Sequence, residues 1–199
     1  MTIEGALRND KEMLEAGFIV KHPDDANQRP VLFFDRVAST KSDLYDRGSW
    51  LRVLWYYFQV LCESEEYQKR GYVLLINLKD WSPHLCNDRI GAKKMFIYVR
   101  ECWCPRMKGY HATYSSRQTP VKLVEPAIRH MQGKHIRTHL VNHYGFDSDN
   151  LKTIAEYGLR KEHLSHVIGG DFTHQDHLGW LRQREQFEQT RDAEPNHAA

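Results

Sequence analysis

Two extended runs that no hairpin turn can join constrain this chain more than any other feature. Tyr110-His111-Ala112-Thr113-Tyr114-Ser115 is the first, Ile136 to His143 is the second, and a helix-like block, Thr119 to Met131, lies between them. Strand, helix, strand at that spacing requires a crossover, so the two runs are expected to lie parallel in one sheet, joined in the right-handed sense. Upstream, Tyr72 to Leu78 is a short continuous apolar run, as expected of a strand covered on both faces. Val31 to Asp35, just after Pro30, reads as another strand. Strands alternating with helices in this way specify an α/β fold with a mostly parallel β-sheet and flanking helices.

The remaining segments fit around that sheet. Glu4 to Ala16 reads as a helix with Leu7, Met13 and Leu14 as its apolar residues and Gly17 as its stop, followed by extended Phe18-Ile19-Val20. Asp24 to Arg29 reads as a polar loop and Ser39 to Gly48 as a polar stretch. Trp50 to Cys62 is expected to be a helix apolar on nearly every side, the pattern of burial on two faces. Asp88 to Cys102 is amphipathic, with Ile90, Phe96 and Ile97 on the buried side. After the crossover, Asn150 to Tyr157 and Lys161 to Val167 read as short helices, and Gly169-Gly170 breaks the chain. A charged helix, Leu178 to Gln189, shows Leu178, Leu181 and Phe187 on its apolar side, and Asp192 to Ala199 is expected to be disordered. The division expected is a short helical segment (1–17), one domain (18–185) and a tail (186–199).

Composition narrows the classes. The 199 residues suffice for one sizeable core. The longest apolar run, Val53 to Phe58, is far short of a bilayer span, and no apolar signal segment follows Met1. Four cysteines (Cys62, Cys86, Cys102, Cys104) in a chain of this length read as reduced thiols of a cytoplasmic protein. A net charge of +2, with no aromatic-and-glycine motif beside the basic residues, gives no argument for a nucleic-acid partner.

Catalytic signatures are missing. The chain has no G-x-S-x-G elbow, no Walker loop, no G-x-G-x-x-G after a strand and no H-E-x-x-H helix, so the expectation is a non-enzyme without a cofactor. Twelve histidines nevertheless include His163-x-x-His166 and His174-x-x-His177, with Asp171 and Asp176 close by. On a helix the first pair would share a face, the arrangement from which a zinc or iron site is built. Solvated histidines of a polar C-terminal region explain the pattern equally well, and no metal site is assigned. Arg129, His130, Lys134, His135, Arg137 and His139 form a basic group, read either as a solvated face or as an attraction to anionic headgroups.

In order, these pieces resemble a CRAL-TRIO domain, the lipid-binding fold of phosphatidylinositol transfer proteins. The family's Asp-Leu-Lys-Gly strand end has its counterpart in Asn77-Leu78-Lys79-Asp80, and its Tyr-Val-Arg-Glu in Tyr98 to Glu101. Its Tyr-Pro pair corresponds to Cys104-Pro105, its Asn-Ala-Pro to Ser115-Ser116-Arg117, and its Lys-Pro-Phe to Val124-Glu125-Pro126. The terminal Leu-Pro-x-x-x-Gly-Gly is similar to Leu164 through Gly170, and the early Gly-Arg-Pro-Val to Gln28-Arg29-Pro30-Val31 after Asp24-Asp25. The likeness covers about Gly17 to Gly170.

The resemblance implies a helical gate over a hydrophobic pocket, with Thr119 to Met131 as the gate. Alternation along the strands puts Tyr110, Ala112 and Tyr114 on one face opposite His111 and Thr113, and places Ile136, Thr138 and Leu140 together. With Tyr72, Leu74 and Ile76 from the upstream strand and Leu123 and Ala127 from the gate, these are the expected lipid-lining residues. Tyr72 and Leu74 stand where the family has the serine and threonine of a phosphatidylcholine headgroup site. Lys134 falls at the family's headgroup lysine, and Arg106 replaces its glutamate. The family's N-terminal helical region is not expected here in its usual form. The function expected is a carrier for one phospholipid, phosphoinositide or isoprenoid-like ligand, exchanged in transient contact with a membrane surface. The alternative is an interaction or regulatory module of the same fold without a usable pocket. Nothing in the sequence sets the oligomeric state.

Overall fold

The computed structural model describes residues 3–80, 106–115 and 138–193. Its centre is a five-stranded sheet ordered β1-β2-β3-β4-β5, built from β1 (Ile19–His22), β2 (Val31–Asp35), β3 (Tyr72–Asn77), β4 (Met107–Tyr114) and β5 (Leu140–Tyr144). The first pair is antiparallel and every later pair is parallel. The parallel pairing of β4 with β5 is the one that the absence of a hairpin demanded. The crossover block itself, like Asp88 to Cys102, lies outside the described residues.

Helices cover both faces of the sheet. On one side lie α1 (Ile3–Glu15), α3 (Arg47–Cys62) and α6 (His174–Ala193); Met13, Leu14, Trp50, Tyr57, Leu61 and Leu181 share a buried cluster with sheet residues there. On the other side lie α5 (Asp147–Ala155), Leu159 and two 3₁₀ turns, Lys161–His163 and His166–Ile168, packed on Val31, Phe33, Val73 and Leu75. The short helices α2 (Arg36–Lys41) and α4 (Glu65–Arg70) each precede or follow α3.

Buried polar groups pin these layers together. Asp35 closes β2 and caps α2, its Oδ1 accepting from Ala38 N at 3.0 Å and from Asn77 Nδ2, across the sheet, at 3.0 Å. Lys79, just past β3, donates to Asp147 Oδ1 at the start of α5 and to the Val167 carbonyl, both at 2.6 Å. Asp10 breaks the helical dihedrals of α1 and receives Arg52 of α3 in a bidentate pair at 2.8 and 2.6 Å. That hydrogen-bonded guanidinium holds its carboxyl below the usual range.

Several expectations are corrected. The polar stretch from Ser39 begins inside a helix, α2, because the Asp35 cap outweighs its weak apolar content; Ser39 is wholly buried. Lys161 to Val167 is not one helix, since Leu164 N closes a 3₁₀ turn on Lys161 O and a second turn starts after Ser165. The last helix begins four residues earlier than read and runs through Ala193, so Asp192 and Ala193 are helical. Phe187 is exposed rather than packed, lying over the Arg184 guanidinium at 4.9 Å.

The Gly169-Gly170 pair earns its place sterically. Gly169 takes φ +89°, the left-handed region that ends the second 3₁₀ turn. A Cβ on Gly170 would stand 2.0 Å from the Leu164 carbonyl oxygen, which already accepts from Phe172 N at 2.9 Å. Gly170→Ala is therefore expected to lower stability by about 2–3 kcal/mol in urea unfolding. An unchanged midpoint would show that this turn opens freely.

Candidate functional site

Strand alternation and register assemble one largely apolar surface on the α1–α3 side of the sheet. Leu32, Leu74, Tyr110 and Leu140 are register partners across four neighbouring strands, and Phe34, Ile76, Ala112 and Asn142 form the next row. A third row begins with Tyr114 and Tyr144, whose rings stack at 5.0 Å. Ala112 is thus a small residue between Ile76 and Asn142, with Tyr110 and Tyr114 ahead of it and behind it along β4. It contributes the least side-chain bulk on this face. The α3 helix meets this face over β2 and β3, where Trp50 packs edge-on to Phe34 at 5.9 Å and Phe58 edge-on to Tyr72 at 6.0 Å. Burial, followed by the neighbouring Tyr110, pushes the Tyr72 phenol well above its ordinary range, so it stays a neutral hydroxyl.

The structure brings most of the expected lining residues together. Tyr72, Leu74, Ile76, Tyr110, Ala112 and Tyr114 are buried on this one face, and Leu140 packs against them half-buried. Thr138 does not join them. It is exposed in a turn, Thr138 and His139, that precedes β5 at Leu140; Ile136 lies outside the described residues. Arg106 is exposed and precedes β4, its carbonyl accepting from Tyr72 N at 3.1 Å. Eight residues of strand separate it from the Tyr114 end, about 25 Å at the rise of an extended chain. Leu123, Ala127 and Lys134 lie outside the described residues. So does all of the basic group except His139, whose carbonyl accepts from Tyr110 N at 2.9 Å. Asn142 is the lining residue that the sequence reading missed, although two-residue alternation from Leu140 points to it.

The opposite face of β4 and β5 carries a buried polar tie. His111 Nδ1 lies 3.0 Å from His143 Nε2, and His143 Nδ1 lies 2.7 Å from Thr153 Oγ1 on α5. The Thr153 hydroxyl donates to the Asn150 carbonyl at 3.0 Å, so it accepts from His143 Nδ1–H, and His143 Nε2 in turn accepts from His111 Nδ1–H. Burial holds both imidazoles down to about 4, helped at His111 by His143 and Arg29 and opposed by Asp25. Both are neutral at pH 7.

The C-terminal histidines separate by environment. His163 Nδ1 lies 3.2 Å from the Asp24 carbonyl, His166 and His174 are exposed, and His177 is buried with Nε2 at 2.9 Å from the Leu14 carbonyl. His163 and His166 sit in separate 3₁₀ turns, not on one helical face. Among the described residues, no group of three or more His, Cys, Asp or Glu is placed to hold a metal ion. Also among them, no helix is long and apolar enough to cross a membrane.

No family model matches the chain, and no curated protein matches it. Among solved structures, the crystal structure of Sfh5 matches with a TM-score of 0.50 at 12% identity, covering 65% of this chain and 50% of that one. Half of that chain's length is therefore spanned, and at this identity the likeness is one of fold.

Proposed function

We propose that this chain is a non-enzymatic lipid carrier of CRAL-TRIO type, cytoplasmic and only transiently at membranes. It holds one acyl-bearing or isoprenoid ligand against the Ala112 face. The observation that carries this reading is the largely apolar face of β3, β4 and β5, with the small Ala112 between Tyr110 and Tyr114 along β4. The fold likeness to Sfh5 and the ordered motifs from Gly17 to Gly170 support it.

The energetics suit a carrier. Moving an acyl chain from water to such a surface is worth about 0.8 kcal/mol per methylene, so a long chain has on the order of 10 kcal/mol available to hold it between membranes. Release needs the apolar surface to be re-covered at once, and a bilayer offers that cover. Ala112→Trp adds bulk to this face while leaving the strand pairing intact. It is expected to cut transfer of a pyrene-labelled phospholipid between vesicles at least tenfold, with far-UV circular dichroism unchanged. Transfer at the wild-type rate would remove this face from the ligand site.

A further inference from the structure

The β1–β2 hairpin closes one side of a cavity of about 400 Å³, bordered by none of the residues of the proposed lipid face. Phe18, Val20, Phe33 and Phe172 give it an apolar wall. Two histidines that line it, His22 and His177, are each only 1% exposed. The Leu14 carbonyl beside His177 can only accept, so the proton of the neutral ring sits on Nε2 and Nδ1 is a bare lone pair. No protein group hydrogen-bonds that Nδ1, nor either nitrogen of His22. The His22 ring lies flat on Phe33, 5.0 Å away at 12°, and against Phe172 at 4.9 Å, which fixes its orientation. Burial is the main reason that both imidazoles titrate low, His22 at about 3 and His177 at about 4, so both are neutral at pH 7.

Folded proteins satisfy about nine in ten buried polar groups or more. Three unpartnered ring nitrogens around one cavity, two of them acceptors in the neutral rings, therefore call for an occupant that donates. Its chemistry follows from the lining. The bare nitrogen of His177 and one nitrogen of His22 need donors. Asp35 is also among the residues that border the cavity, while no lysine or arginine lines it. An anion would meet Asp35 without a countercharge, and a purely apolar guest would leave the nitrogens as they are. An ammonium brings three donors and one positive charge, and aromatic walls favour a cation. We propose that this cavity binds a small organic primary amine, its ammonium donating to His177 Nδ1 and to His22 and facing Asp35, its apolar body lying along Phe33 and Phe172.

The test is titration of the full chain with 2-phenylethylamine, followed by the histidine side-chain ¹⁵N resonances and by calorimetry. The alcohol 2-phenylethanol and the acid 3-phenylpropionate serve as matched probes. Saturable binding of the amine is expected, at least tenfold tighter than either matched probe, with the His177 Nδ1 resonance leaving its lone-pair position. His177→Phe and, independently, His22→Leu are each expected to weaken it by about tenfold, the loss of one hydrogen bond to a charged donor. His22→Leu breaks no hydrogen bond and keeps an apolar side chain against Phe33 and Phe172, so it reads binding even if His177→Phe folds poorly. The proposal is overturned if the alcohol or the acid binds as well as the amine. It is equally overturned if no probe binds at millimolar concentration, or if His22→Leu binds the amine unchanged.

Discussion

Acidification from pH 7 to pH 4 is expected to remove several kcal/mol of stability, the loss beginning near pH 6.5, above the range in which ordinary carboxylates titrate. His22, His111, His143 and His177 are buried as neutral rings, with pKa values displaced from 6.5 to about 3 for the first and about 4 for the others. Between those values and 6.5 the unfolded chain binds protons that the folded chain refuses. Stability is therefore complete above about pH 6.5 and falls as the pH drops toward 4. A single imidazole displaced from 6.5 to about 4 is worth on the order of 3 kcal/mol. The four do not add fully, because His111 and His143 share one hydrogen bond and titrate as a pair. Urea midpoints at pH 7, 6, 5 and 4.5 measure this, and His22→Leu should flatten the slope. A midpoint constant from pH 7 to 4.5 would mean that these rings are protonated in the folded chain and that their burial is misread.

The second large effect is expected at Arg184. This side chain donates through Nε and Nη2 to Glu188 Oε1 at 3.1 and 2.8 Å, to Glu63 Oε1 at 2.6 Å and to the Tyr56 hydroxyl at 3.3 Å, joining α6 to α3. The Glu188 side chain is only 5% exposed. Arg184→Met takes the cation from that buried carboxylate and is expected to cost about 3–5 kcal/mol, whereas replacing both charges by apolar groups avoids the stranded ion. Arg184→Met with Glu188→Leu should therefore be clearly more stable than Arg184→Met alone. Urea unfolding of the two variants decides it. A single variant within 1 kcal/mol of the parent chain would show that the network is solvent-like rather than buried.

The same residues show where the sequence was legible. The strand β2 was read with its observed ends, and β3 to within one residue, because Val31 to Asp35 and Tyr72 to Leu78 are continuous apolar runs covered on both sides. Alternation in β4 separated Tyr110, Ala112 and Tyr114 from His111 and Thr113, as the two clusters and the histidine tie require. The last helix resisted the same treatment. Its buried positions are His177, Leu181, Arg184 and Glu188, a stripe with one apolar member, so apolar periodicity finds Leu181 and the half-buried Leu178 that packs beside it but adds the exposed Phe187 and passes over the polar positions. Polar groups become buried there only because partners on α1 and α3, distant in sequence, complete them, as Leu14, Tyr56 and Glu63 do. Thr138 failed for a local reason: the chain still turns at Thr138 and His139, and β5 begins only at Leu140.

The central claim is that the Ala112 face holds a lipid, and the most direct test is native mass spectrometry of protein purified without detergent, followed by organic extraction of whatever it carries. One lipid class at close to one molecule per chain is expected, lost in Ala112→Trp. An empty protein that also takes up no lipid from phospholipid vesicles would contradict it, and would leave the same fold serving as an interaction module.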